Sequence, residues 1–226
     1  MRARALTLAC LALLVIAGCS SKPPVISRVQ GRIVYVNDLK GGVRSETLGI
    51  FLVASSADGM EDLGSFYVIN DDAQLFWKVD KSAWTSAIAE GETWIGYSSL
   101  LMPKAVPFPA GTYRVVLETV GSDTVEDTIA VPARVKDPSE AAYPSATVSS
   151  GEIRIEGTAA SYEVWVYAGS GAFMGVFPVD GRKPTLPLAT VARSSPALAA
   201  GFSFRVLAWD QQAGYGVLAG PWTSGG

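Results

Sequence analysis

The chain predicts an all-β protein built from two antiparallel β-sandwiches that follow an export signal. Three observations point there. Nearly every periodic segment alternates apolar and polar residues with period two, the signature of a half-buried strand. The segments are short, rich in β-branched and aromatic residues, and separated by Gly, Asp and Asn. No long stretch repeats with the 3.6-residue period of an amphipathic helix, which leaves sheet packing on sheet as the way to bury a core.

The 226 residues open with Arg2 and Arg4, then an apolar run over 5–17 that ends in small residues before Cys19. A charged start, a short apolar run and a small-residue cleavage site make an export signal over residues 1–18. The run is too short to cross a bilayer, which takes roughly 20 apolar residues. Ile16-Ala17-Gly18-Cys19 resembles the lipobox of bacterial lipoproteins. That resemblance implies cleavage before Cys19, diacylglycerol on its thiol and acylation of the new amine. Residues 19–24 would then form a short lipidated tether, stiffened by Pro23 and Pro24. Ser20 stands where an aspartate tends to retain such proteins in the inner membrane, so the resemblance favours the outer membrane, on either of its faces. Acyl chains contribute ~0.8 kcal/mol per buried methylene, so the anchor would be essentially permanent.

The first sandwich is expected over residues 25–135. Segments 31–36 (GRIVYV), 48–53 (LGIFLV), 66–69 (FYVI) and 75–79 (LFWKV) read as strands, with turns at Asp38, Asp58-Gly59 and Asn70-Asp71-Asp72. Residues 112–120, a Gly121-Ser122-Asp123 turn and residues 124–131 read as a hairpin. In it Tyr113, Val115 and Leu117 share one face, opposite Arg114 and Glu118. Residues 81–90 are expected to form a short helix behind Asp80 as N-cap. Residues 136–146 (KDPSEAAYPSA), with two prolines and few apolar side chains, read as a linker.

The second sandwich is expected over 147–226. Strands are read at 152–156, 162–168 and 174–179, and a closing hairpin pairs 202–209 with 215–218 across Gln211-Gln212-Ala213-Gly214. The segment 201–210 (GFSFRVLAWD), followed by Ala213-Gly214-Tyr215-Gly216, resembles the closing hairpin of fibronectin type III domains, and 162–166 (YEVWV) is similar to their middle strand. The resemblance implies an immunoglobulin-like or fibronectin III-like sandwich. Two positions depart from it: Phe202 stands in place of the corner tyrosine, and Ile153 and Ile155 in place of an early tryptophan.

Composition excludes much chemistry. The chain has no histidine and two cysteines; Cys10 leaves with the signal and the lipid would occupy Cys19. That removes Ser-His-Asp and Cys-His nucleophile pairs, disulfides, and histidine- or thiolate-bearing metal sites. The net charge is −3, and the signal carries two basic residues and no acidic one, so the mature chain is more acidic still and suits neither nucleic acid nor an anionic surface. No cofactor and no metal is expected. An enzyme here would need carboxylates, lysine, tyrosine or a Ser-Lys pair. Lys81 and Ser82 are adjacent and point apart. The acidic turns 58–62 and 70–72 lack the spacing of a calcium loop and read as turn chemistry.

Six tryptophans supply the candidate site residues. Large aromatics mostly fill cores. Alternation nevertheless puts Trp165 and Tyr167 on the face of their strand opposite Val164 and Val166, and Leu207 and Trp209 opposite Val206 and Ala208. If the two strands are neighbours, these four share one outer face, and such a patch is seldom left in water. It is expected to meet the other domain or a protein partner. Trp77, Trp84 and Trp94 lie near Asp71, Asp72, Asp80 and Glu92 in sequence, a composition able to stack sugar rings and accept their hydroxyls. The expectation is a lipid-anchored, non-catalytic envelope module for binding or scaffolding. The alternatives are a carbohydrate- or peptidoglycan-binding lipoprotein and, behind it, a carboxylate hydrolase with its two acids ~5–10 Å apart.

Overall fold

The computed structural model describes residues 22–224, apart from 90, 105, 134–137, 199–200, 211 and 213. The signal and Cys19 lie outside the described residues. No helix among the described residues is long and apolar enough to cross a membrane.

The chain is all-β. Fifteen strands are described: β1 (Val25–Asp38), β2 (Val43–Ser55), β3 (Leu63–Asn70), β4 (Leu75–Asp80), β5 (Thr85–Ala89), β6 (Glu92–Leu101), β7 (Gly111–Thr119), β8 (Thr124–Val131), β9 (Ser145–Ser149), β10 (Glu152–Glu156), β11 (Ser161–Ala168), β12 (Phe173–Asp180), β13 (Thr185–Pro187), β14 (Phe202–Asp210) and β15 (Tyr215–Thr223). They group into two compact units, interleaved along the chain. Unit 1 draws on Leu52–Ile95 and Tyr113–Ile129 together with the start of β1, and unit 2 on Gln30–Phe51, Gly96–Thr112 and Ala130–Gly226.

In unit 1 the sheet runs β4-β3-β7-β8. Alternation sets which residues it buries. Phe66, Val68, Tyr113, Val115 and Leu117 are fully buried, as is Leu52 of β2, and the register puts Val68 opposite Val115 and Phe66 opposite Leu117. The β7–β8 hairpin forms as the pattern predicts. Its turn is closed by Ser122 N–H donating to Thr119 O at 3.0 Å and Thr119 N–H to Asp123 O at 2.9 Å.

The helix expected over 81–90 is not there. Residues 81–83 are a turn, and Thr85–Ala89 is strand β5, hydrogen-bonded beside β6; residue 90 lies outside the described residues. Asp80 closes the turn through its carbonyl, which accepts from Ala83 N–H at 2.8 Å, while Lys81 N–H donates to Gly64 O at 2.9 Å. A helix this short is marginal alone, and ladder pairing overrides its propensity.

In unit 2 the larger sheet runs β12-β11-β14-β15-β1-β2-β6 and the smaller β13-β10-β9. Ile153 and Ile155 of β10, Val164 and Val166 of β11, and Phe204 and Val206 of β14 belong to one buried cluster, so the core lies between two sheet faces. The closing hairpin forms, with Leu207 opposite Leu218. The phenol of Tyr162 accepts a hydrogen bond from Ala159 N–H at 3.1 Å. A Cβ at Gly157 would lie 2.7 Å from that phenol oxygen, so glycine is what lets the loop approach it.

Two features of unit 2 carried no sequence signal. The helix α1 (Leu188–Ser194) inserts Val191 into the core, but seven residues are too few to show a period. The first strand also pairs in parallel with the last, Ile33 opposite Tyr215 and Val36 opposite Leu218, which makes β15 an interior strand.

Candidate functional site

The face of the larger unit-2 sheet that is turned away from the core carries the candidate site. Strand alternation puts Trp165 and Tyr167 on it from β11, Ser203, Arg205 and Leu207 from β14, and Val34 and Val36 from β1. The register sets Trp165 opposite Arg205 and Tyr167 opposite Ser203. Leu207, Leu218 and Val34 are buried together, with Trp165 and Val36 packed against them. Above this apolar floor lies a groove of about 540 Å³, bordered by Trp165, Tyr167, Arg205, Lys40, Ser99 and Leu101 among others. That volume falls within the few hundred to ~1,000 Å³ usual for ligand clefts.

Two β-bulges flank the groove. One interrupts the β11–β12 pairing between Val166 and Tyr167. The other interrupts β14–β15 between Phe204 and Val206, so that Gly220 and Pro221 lie opposite Arg205. Bulges bend a strand locally and re-aim side chains, often beside functional sites. Here the extra residues lie on the partner strands β12 and β15, beside Tyr167 and Arg205, whose own strands alternate regularly. Gly220, at φ +126°, also has a positional reason to be glycine, because a Cβ there would lie 3.1 Å from Cγ of Arg205.

The rings are held in place. Trp165 Nε1–H donates to Glu163 Oε2 at 3.1 Å. The Trp165 and Tyr167 rings meet Phe173 edge-on, with centroids 6.4 and 5.6 Å away. Burial pushes the Tyr167 phenol pKa up, and the Arg205 guanidinium pulls it the other way. Arg205 Nη2 lies 3.9 Å from Asp38 Oδ2, farther than a hydrogen bond reaches. The other carboxylate oxygen of Asp38 accepts the backbone N–H groups of Lys40 and Gly41 at 3.0 and 3.2 Å.

The sequence-predicted residues are thus sorted. Trp165 and Tyr167 border the groove and Leu207 is buried in its floor. Trp209 lies farther along β14, its ring 5.4 Å from the Arg32 guanidinium, and borders a separate cavity of about 380 Å³ together with Tyr162, Asp210 and Tyr215. In unit 1, Trp77 stacks on buried Tyr113 at 6.4 Å and Trp84 on buried Phe66 at 6.1 Å. Trp94 lies 5.4 Å under the Arg28 guanidinium.

Three of the four nearby acids are paired with cations. Arg114 Nε donates to Asp71 at 2.8 Å, Lys78 pairs with Asp80 at 2.9 Å, and Arg28 pairs with Glu92. The turn at 70–73 is closed by Ala73 N–H donating to Asn70 Oδ1 at 2.8 Å. Sequence reasoning missed Lys40, Ser45 and Ser99 as groove residues. Only the pairing of β1 with β15 brings β2, β6 and the turn after β1 to this face, and no local pattern announces that.

No protein-family description matches the chain, and none of the curated proteins compared with it matches in sequence. Among solved structures it is similar to a biofilm-associated protein BSP domain, at 16% identity and TM-score 0.29, over 88% of this chain and 29% of that one. It also overlaps the N-terminal Ig1-2 module of the Drosophila receptor protein tyrosine phosphatase DLAR, at 13% identity and TM-score 0.38, over 88% and 98%. A third overlap is with the 47-kilodalton lipoprotein of Treponema pallidum, at 15% and 0.33, over 90% and 52%. The chain spans less than a third of the first of these and about half of the third. Overlaps at this level say nothing about function.

Proposed function

We propose that the chain is a non-catalytic binding or scaffolding module of the cell envelope, tethered through lipid on Cys19 and engaging its partner with the outer face of the unit-2 sheet. The observation that carries this reading is the groove. It has an apolar floor, two fixed and half-exposed rings and a few polar tips, the composition of a recognition surface. What supports the anchor is the lipobox resemblance at 16–19, and Ser20 favours the outer membrane. The reading that put a saccharide on Trp77, Trp84 and Trp94 loses ground, because Trp77 and Trp84 pack on core rings. A hydrolase loses ground as well, because Asp71, Asp80 and Glu92 each face their own cation.

One experiment tests both parts. Cys19→Ser is expected to move the chain from the membrane pellet to the soluble fraction. The soluble chain is then expected to bind envelopes from cells lacking it in a saturable way, and Trp165→Ser to weaken that binding roughly tenfold. A Cys19→Ser chain that still pellets with lipid removes the anchor. Equal binding by the Trp165→Ser chain removes the face.

A further inference from the structure

We infer that the groove binds an acidic saccharide, a chain of pyranose units bearing a carboxylate; this rests on the reading of the face as a binding surface and names its ligand class. Three observations converge on that chemistry. First, Trp165 and Tyr167 are half-exposed, and their partners fix them before any ligand arrives. Fixed flat rings suit the C–H face of a sugar and lose little entropy on binding. Second, alternation along β14 turns Arg205 toward the groove it borders, and its Asp38 contact is too long to be a hydrogen bond. A guanidinium fork so placed matches a carboxylate in two-pronged geometry. Exposed Lys40 adds a second positive charge at the rim. Third, Ser99 and Ser203 border the same groove, and a hydroxyl both donates and accepts, as a sugar hydroxyl requires of its neighbours.

The strand pairing argues against an extended peptide as the occupant. β11, β14, β15 and β1 each have a hydrogen-bonded neighbour on both sides. The floor of the groove therefore has no open backbone edge for a peptide to add to as a strand. A ligand here must be read by side chains, and those present are rings, hydroxyls and cations.

The purified full chain in detergent should be titrated with trigalacturonate, following tryptophan fluorescence. Saturable binding is expected, weakened roughly tenfold by Arg205→Gln and by Trp165→Ala, and weaker with rising salt. Maltotriose, which lacks the carboxylate, is expected to bind at least roughly tenfold more weakly. Lys40→Gln, at an exposed rim position, is expected to weaken trigalacturonate a few-fold without loss of fold, and decides the charge argument should Arg205→Gln not fold. No saturation by about 10 mM, a range that admits even very weak ligands, overturns the proposal. So does equal affinity for maltotriose, or equal affinity for hexaglutamate, which would mark a general anion or acidic-peptide surface. Envelope binding that persists in the Trp165-dependent assay while trigalacturonate fails removes only the saccharide. Loss of both removes the binding module.

Discussion

Gly96 lies on β6 where that strand passes β2. A Cβ on it would sit 2.4 Å from Cδ1 of Phe51 and 2.5 Å from the carbonyl oxygen of Ile50. The second neighbour is backbone and cannot rotate away, so a methyl group has to part the strands. Gly96→Ala is expected to cost about 1–3 kcal/mol, read as a lower urea midpoint with an unchanged slope; an unmoved midpoint would show that the strands can yield. Arg114 acts through charge instead. Its guanidinium donates twice to Asp71, at 2.8 and 3.2 Å, and once to Glu126 at 2.9 Å, tying the turn after β3 to β7 and β8. The hydrogen bond from Arg114 holds the Asp71 carboxyl below its ordinary 3.8. A carboxyl with a depressed folded pKa contributes stability that is present above its unfolded pKa and lost as pH falls through the folded value. Asp71→Asn is therefore expected to be less stable than the parent at pH 7, with the gap closing at an acid pH below the lowered folded pKa. An equal gap at both pH values would assign the loss to packing. Alternation placed Arg114 opposite Tyr113 and Val115, but its partners depend on a turn and a neighbouring strand.

Strands were legible wherever one face is buried and the other wet. The β7–β8 and β14–β15 hairpins stand where period two and turn residues put them, because both signals are local. Residues 81–90 show the opposite case. Their composition allows a helix, but the hydrogen bonds of β5 go to β6, a partner outside the segment. The bulges on β12 and β15, opposite Tyr167 and Arg205, were also illegible, since a bulge is a property of two strands and one strand's sequence does not contain it. Strand β15 carries the largest consequence at this scale. It is hydrogen-bonded to β14 on one side and β1 on the other, and Tyr35 packs edge-on against Tyr215 at 5.1 Å. Removing residues 215–226 is therefore expected to abolish cooperative unfolding of unit 2, not merely to fray its end. Retention of a sharp unfolding transition by a chain ending at 214, monitored by near-ultraviolet circular dichroism, would contradict this interior role.

At the scale of the whole molecule, composition alone narrowed the chemistry. A chain without histidine whose two cysteines both fall within the first nineteen residues has few routes to catalysis, and its acidity argues against polyanions as large as nucleic acid. Local charge can still differ from the net value: among the described residues, Arg205 and Lys40 are the two charged side chains that border the groove. By itself the sequence determined the all-β class, the alternation that selects each buried face, and the outward direction of Trp165 and Tyr167, because these follow from neighbours two residues apart. Only the tertiary structure decided that β1 joins β15, that Trp165, Tyr167, Arg205 and Lys40 border one groove, and that Trp77 and Trp84 stack on buried rings. Those outcomes depend on contacts between residues far apart in the chain, whose geometry no local period encodes.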